Sequence, residues 1–448
     1  MFEFSWAFKV RTFVLIYSLF SVSFQLLGQS PDVASINRVI ESPVSMYSGA
    51  PQIGLPLGGI SGRSLRVGVG LSYNPSGVRV EDYGSWTGIN WNLSAGGMIS
   101  RSVQGIDDFA ENGFYNVGVE SLDGIDSNCE WPVRREDLHD HVEAVLNDQK
   151  DSGADVFYFS MPGGSGKFIF NSANEPVVLN QFGITIEKPE EVNDNGLWTI
   201  TTLDGTKYIF GGSAQIEKSG DVITAWYLNK IISTIGEEAS FYYDPVTYTV
   251  PVPDYPTRYH LLGKESGSSC ESFDESGGGG DLTIRTKYLN RIVINESVVK
   301  FSTFPRCDLR GGRALEKVQI FQNNDELVKE YRLAYECDFD NQRLWLTSVQ
   351  EVGGSGAAYR PTKFQYYNKE LLPPITSSAQ DHWGFYNGAT NASLIPAFNT
   401  SPDFYFEGAN RDTHLDKIRY GTLQSVTYPT GGVTEYEFEP HEYEPIPQ

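Results

Sequence analysis

A unit recurs along the second half of the chain and constrains its fold more than any other feature. The repeat is irregular: a typical copy opens on Leu-x-x-(Ile/Val) and closes on an aromatic pair with one residue between. Leu228-Asn-Lys-Ile231 leads to Phe241-Tyr-Tyr243, and Leu289-Asn-Arg-Ile292 to Val299-Lys-Phe301. Leu315-Glu-Lys-Val318 leads to Tyr331 and Tyr335, the run Leu344 to Val349 to Phe364-Gln-Tyr366, and Leu423-Gln-Ser-Val426 to Tyr436-Glu-Phe438. Starts at 289, 315 and 344 lie 26 and 29 residues apart, the length of one hairpin with its connection. A lone hairpin is marginal in water, but stacked hairpins bury a continuous core. Ordinary antiparallel sheet with coincidental spacing stays open as the plainer reading.

The rest of the chain also reads as strands and turns. Leu65, Val67, Val69, Leu71 and Tyr73 alternate with Arg66, Gly68, Gly70 and Ser72, which puts every apolar side chain on one face of a half-buried strand. Asp155–Ser160 and Lys167–Asn171 form two short strands joined by a glycine-rich turn, and Leu197–Leu203 and Lys207–Phe210 flank the hairpin dipeptide Asp204-Gly205. Only Glu136–Lys150 has helical spacing, with Leu138, Val142, Val145 and Leu146 on one side. Gly263–Asp281, rich in Ser, Gly and acids, reads as a mobile loop or inter-domain linker, and Thr247–Pro256, with three prolines, as an extended edge or loop. The expected organisation is all-β and antiparallel with one short helix. Its parts are a signal peptide at 1–28, a β domain at 29–130, a helical linker at 131–150, a hairpin region at 151–262, the loop at 263–281 and repeated hairpins at 282–448.

The first residues carry an export address. Lys9 and Arg11 precede a largely apolar run, Thr12 to Leu27, that is short and rather polar for a membrane anchor, with an uncleaved signal anchor as the alternative reading. Cleavage is expected between Gly28 and Gln29, and no later segment is apolar enough to span a membrane. The protein is therefore expected outside the inner membrane, secreted or at the cell surface. The net charge of −23 argues against a nucleic-acid partner, which would need clustered Lys and Arg. The four cysteines, Cys129, Cys270, Cys307 and Cys337, show no C-x-x-C spacing and so suggest no zinc or redox motif. Cys307 and Cys337 bracket a hairpin and are the pair favoured for a disulfide, with the other pairings and free thiols left open.

Catalytic and metal motifs were sought, and no catalytic, cofactor or metal residue is assigned. Gly163-Gly-Ser-Gly-Lys167 lacks the first glycine of a phosphate loop, and Phe168 stands where Ser or Thr would hold magnesium. His139 and His141 point to different sides of a helix. Glu191 to Gly196 resembles the start of a calcium loop, but Thr202 occupies the place of its bidentate Glu. Asp107-Asp108 reads as a solvated turn, and Trp383, Phe385 and Tyr386 read as β-core aromatics rather than a sugar platform.

Several phrases together resemble the amino-terminal region of secreted bacterial Rhs/YD-repeat proteins. They begin with Ser42-Pro-Val-Ser-Met-Tyr-Ser-Gly49 and Pro51-Gln-Ile-Gly-Leu-Pro-Leu57, then Leu71-Ser-Tyr-Asn-Pro-Ser-Gly-Val78 and Trp86-Thr-Gly-Ile-Asn-Trp-Asn-Leu93. Gly96-Gly-Met-Ile-Ser-Arg101 and Asp155-Val-Phe-Tyr-Phe159 with Ser165-Gly-Lys-Phe168 follow. Asp381-His-Trp-Gly-Phe-Tyr-Asn-Gly388, Ala409-Asn-Arg411 and Val426-Thr-Tyr-Pro-Thr-Gly-Gly432 complete the set. The resemblance implies repeated hairpins that spiral into a hollow shell, which in some members encloses a carboxy-terminal toxin. This chain departs from the pattern, because no run of Tyr-Asp repeats and no toxin segment appears. The self-cleaving carboxylates of shell-forming relatives would lie in that missing region, so none is carried across. The expectation is a noncatalytic structural segment whose partners are the remainder of such a shell or its cargo, the front portion of a larger design. A self-contained surface-binding β protein for glycan or peptide is the alternative, and a glycosidase-like enzyme ranks third.

Overall fold

The computed structural model describes residues 51–117 and, apart from short internal stretches of which the longest is 261–271, residues 151–440. The expected signal segment with Gly28–Gln29, the helix at 136–150 and His139 and His141 lie outside the described residues, as does most of 191–196. The fold is all-β, and every strand pairing is antiparallel. Among the described residues, helical geometry is limited to short turns such as Phe114–Val117 and Lys369–Leu371, and no helix is long and apolar enough to cross a membrane.

The first three strands, β1 (Ile53–Ser61), β2 (Arg66–Tyr73) and β3 (Trp91–Ser94), form their own sheet. In β2 the predicted alternation holds: Val67, Val69, Leu71 and Tyr73 are buried while Arg66 and Gly68 face out. The next strands are β4 (Met98–Ser102), β5 (Val156–Met161), β6 (Gly164–Phe170), β7 (Pro176–Val178), β8 (Ile184–Glu187), β9 (Leu197–Thr202), β10 (Lys207–Gly211), β11 (Ile216–Ser219) and β12 (Val222–Ile232). Met161 pairs with Gly164, so the β5–β6 link is a tight turn through Pro162-Gly163, and the phosphate-loop likeness is a hairpin. Asp204-Gly205 turns β9 into β10, with Gly205 at φ 81°.

β12 belongs to two ladders at once. Ala225–Tyr227 pairs with β4, which leads through β5 and β6 to β7, whereas Lys230–Ile232 pairs with β10 and with the strand that follows. The sequence allows this because Ala225, Trp226, Tyr227 and Leu228 are all buried in succession, so the strand offers apolar contacts on both faces. Trp226 meets Trp198 edge-on at 5.3 Å, beside the stacked pair Phe157 and Phe168 at 5.1 Å. Full burial of each such side chain contributes roughly 1.5–3 kcal/mol.

From β12 the chain runs as a meander, interrupted by two small hairpins. Its strands are β13 (Glu238–Val252), then β14 (Thr257–His260) paired with β15 (Ser272–Glu275), then β16 (Gly280–Ile294), β17 (Ser297–Pro305), β18 (Arg313–Gln322), β19 (Glu326–Asp338), β20 (Arg343–Gly353) and β21 (Thr362–Tyr366). The hairpin β22 (Phe398–Ser401) and β23 (Phe404–Phe406) intervenes before β24 (Leu423–Thr427) and β25 (Val433–Glu435). Among the described residues the pairings form an open, branched ladder in which no strand closes a ring. β13 and β16 pair from Ala239 with Ile294 to Val252 with Gly280, so the Gly/Ser-rich span is an excursion within one hairpin and not a linker between regions. It is also not wholly loop, because backbone pairing in β15 needs no apolar side chains. Pro245 and Pro251 sit in the part of β13 that pairs only with β16, where a missing N–H breaks no second ladder.

The repeat units coincide with this meander. Phe241 stands opposite Ile292, Phe301 opposite Val318, Val318 opposite Tyr331, and Phe364 opposite Val426, all of them buried. A second regularity accompanies it. A register shift falls immediately before Tyr243, Tyr335 and Tyr366. Each bulge re-aims its tyrosine toward the preceding strand. The hydroxyls donate to the carbonyls of Leu228 (2.9 Å), Leu315 (2.8 Å) and Leu346 (2.6 Å). These carbonyls lie just past the last backbone pair of each hairpin, where the two strands splay. The phenol stands in for the absent N–H donor.

One carboxylate ties the first sheet to the meander. Glu237, in the β12–β13 turn, accepts the backbone N–H groups of Arg63, Ser64 and Leu65 at 2.7–2.9 Å and the Asn295 amide at 2.8 Å. These donors hold its pKa well below the usual carboxylate range.

Candidate functional site

Three of the quoted stretches come together in space: the segment after Leu71–Val78, Asp381–Gly388 and Ala409–Arg411, more than 300 residues apart at the extremes. Arg79 bridges to Phe385, and the Val80 N–H donates to Gly384. The Asp381 carboxylate accepts the N–H groups of Trp383 (2.9 Å) and Phe385 (3.0 Å) and the Thr413 hydroxyl (2.8 Å). Arg411 donates to the Asp381 carbonyl, and the Asn387 amide to Asn410 (2.9 Å). Two buried guanidiniums hold the same loop: Arg343 donates to the carbonyls of Val80 and Pro373, and Arg306 to those of Tyr83, Gly84 and Ser85. Burial pushes the Arg343 pKa down to about 10. The polar residues of the family-like phrases thus fasten backbone to backbone. This rigid loop turns Trp383 outward, 71% exposed, which corrects its reading as a core aromatic.

Cys307 and Cys337 are joined as a disulfide, Cα atoms 6.3 Å apart, between the loop after β17 and the end of β19. Asp308 lies close enough that the trio could be mistaken for metal ligands, but it is engaged by Arg306 at 2.6 and 2.9 Å.

Asp107 and Asp108 are not solvated; both are buried, Asp108 completely. Arg101 on β4 reaches Asp107 through two guanidinium nitrogens, at 2.9 and 3.3 Å, and lies 3.8 Å from Asp155. Asp108 and Asp155 exchange bonds: the Asp155 N–H donates to the Asp108 carboxylate at 2.8 Å, and the Asp108 N–H to the Asp155 carboxylate at 3.3 Å. Burial raises both carboxyl pKa values, that of Asp108 to about 7. Three aspartates against one arginine, in place of an open cleft, make a latch that holds loop 103–113 on β5.

The most open chemistry lies elsewhere. A groove of about 720 Å3 runs between β2–β3 and strands β12, β13 and β16. β2 and β3 contribute Gly68, Ser72, Asn92 and Ser94 to its lining, their connection Trp86, and the meander Tyr227, Tyr243, Tyr248 and Tyr288. Trp86 and Tyr288 lie 4.7 Å apart at 30°, and Tyr227 and Tyr243 5.1 Å apart. Burial pushes the Tyr288 phenol up to about 12 and those of Tyr227, Tyr243 and Tyr248 higher, so all four stay neutral. Sequence reasoning passed over this groove, although Ser72, Trp86, Asn92 and Met98 of the quoted phrases and Tyr243 of the repeat all line it.

No family model matches the chain, and no characterised protein matches it in sequence. Among solved structures, the crystal structure of TcdB2-TccC3 is similar at 13% identity and a TM-score of 0.39, over 71% of this chain and 16% of that one. The Photorhabdus luminescens Tc holotoxin pore is similar at 14% identity and a TM-score of 0.39, also over 71% and 16%. The N-terminal domain of the effector protein SpvB from Salmonella typhimurium strain LT2 is similar at 15% identity and a TM-score of 0.36, over 67% of this chain and 98% of that one. This chain spans about one sixth of the Tc toxin chains it matches, and the likeness is loose.

Proposed function

We propose that this chain is a noncatalytic structural segment of an exported Rhs/YD-repeat-like protein, a length of β wall in a shell built for toxin delivery or competition between cells. The observation that carries this reading is the open ladder from β12 to β25, in which three hairpins, β12–β13, β18–β19 and β20–β21, pair, splay and are clasped by a tyrosine at a bulge. A ladder of that kind grows by adding hairpins, and among the described residues β25 pairs with β24 alone. Its partners are the rest of the shell and the cargo inside it. Export rests on the charged and apolar first 28 residues. The DNA downstream of codon 448 tests the reading. Tyr-Asp repeats, in frame or after a frameshift, support it; unrelated genes there, with a stable monomer in solution, contradict it. A second reading, a surface-binding protein, is favoured by one observation, the aromatic groove between β2–β3 and β16.

A further inference from the structure

We propose that the groove between β2–β3 and the meander binds a neutral oligosaccharide. The proposal rests on the surface-binding reading and names its ligand class. At about 720 Å3 the groove is in the range of small-molecule sites. Its lining joins aromatic rings to hydroxyl and amide groups: Trp86, Tyr243 and Tyr288 line it together with Ser72, Asn92 and Ser94. Sugars present the same two surfaces, apolar C–H faces that stack on rings and hydroxyls that exchange hydrogen bonds. Charged ligands find little there. Among the described residues no carboxylate lines the groove, and the one basic side chain there, Lys287, already donates to the Ala214 carbonyl at 2.8 Å.

Gly68 adds an independent pointer. A glycine inside a strand marks a bulge, a bend or the close approach of something else. Its partner Gly59 is required by crowding, since a Cβ there would come within 2.3 Å of the Val67 carbonyl oxygen. At Gly68 a Cβ would meet nothing within 4 Å, and its backbone is not in the left-handed region. The open space above Gly68 faces the groove.

This arrangement permits a blocking variant that the fold tolerates. Gly68→Phe fills the groove from a strand position where aromatics are favoured, and Tyr288→Ala removes a ring that the meander contributes. The test is saturation-transfer NMR on the full mature chain with maltotetraose, cellotetraose and N,N′-diacetylchitobiose. A random-tetrapeptide pool forms a second arm. The expected result is transfer to at least one sugar, weakened tenfold or more by either variant, while Gly68→Phe keeps the wild-type melting temperature. Peptide binding that Gly68→Phe abolishes, without sugar binding, overturns the sugar and keeps the surface-binding reading. Transfer to neither class overturns both, and sugar binding that neither variant weakens places the site elsewhere and overturns the proposal.

Discussion

At the scale of single residues, the decisive groups are those whose surroundings change their chemistry. Asp108 is fully buried, with one carboxylate oxygen bonded to the Asp155 N–H and the other without a partner. The folded protein therefore holds a proton on Asp108 up to about pH 7, whereas an unfolded Asp releases it near 3.8. A raised acid pKa means that the folded state binds more protons, so stability is greatest at low pH and falls as pH rises between those values. Between pH 5 and 8 the loss from this group is about 2 kcal/mol. Asp108→Asn, which keeps an acceptor for Asp155, should flatten that part of the melting-temperature profile; an unchanged slope would mean that Asp108 is ionised when folded. The tyrosine clasps act at the same scale. Tyr335→Phe keeps the ring but leaves the Leu315 carbonyl unpaired, a loss of about 1–2 kcal/mol measurable by urea unfolding.

At the scale of elements, what could be read in the sequence depended on whether the cause was local. The alternation in β2 was legible because one face is wholly buried, and Asp204-Gly205 because a two-residue turn needs that dipeptide. The repeat was legible because Leu289, Leu315 and Leu344 open successive units of the meander. The clasps were not, because Tyr243 sits 15 residues from its partner carbonyl while Tyr335 and Tyr366 sit 20 away, and the bulges reset the spacing. Asp107-Asp108 read as a turn because Arg101 and Asp155, the residues that bury it, approach from two different strands. The groove is assembled from β2, β3, β12, β13 and β16, so no single window contains it. Glu237 joins elements in the same long-range way. Glu237→Gln weakens the acceptor for three amides, and hydrogen exchange at Arg63, Ser64 and Leu65 should speed up while amides in β18 stay protected. The junction is a carboxylate effect, so in the wild type its contribution to stability is full above about pH 4.5 and declines as pH falls from there toward the depressed pKa of the folded carboxylate.

At the scale of the molecule, two facts set the design. One core runs from the first sheet through the meander, with Trp91, Trp226 and Trp345 among its fully buried side chains, so the β1–β3 sheet is built into the wall. Among the described residues the ladder is nonetheless open at β25, and an unpaired edge invites another strand. On the structural-segment reading the ladder continues past β25. Electron cryomicroscopy of the particle isolated from the native source is the sharpest check of that continuation. The expected density is a further hairpin paired in antiparallel register along the free edge of β25, with Tyr243, Tyr335 and Tyr366 clasped to the Leu228, Leu315 and Leu346 carbonyls. A particle the size of this chain alone, with the β25 edge facing solvent, would contradict it.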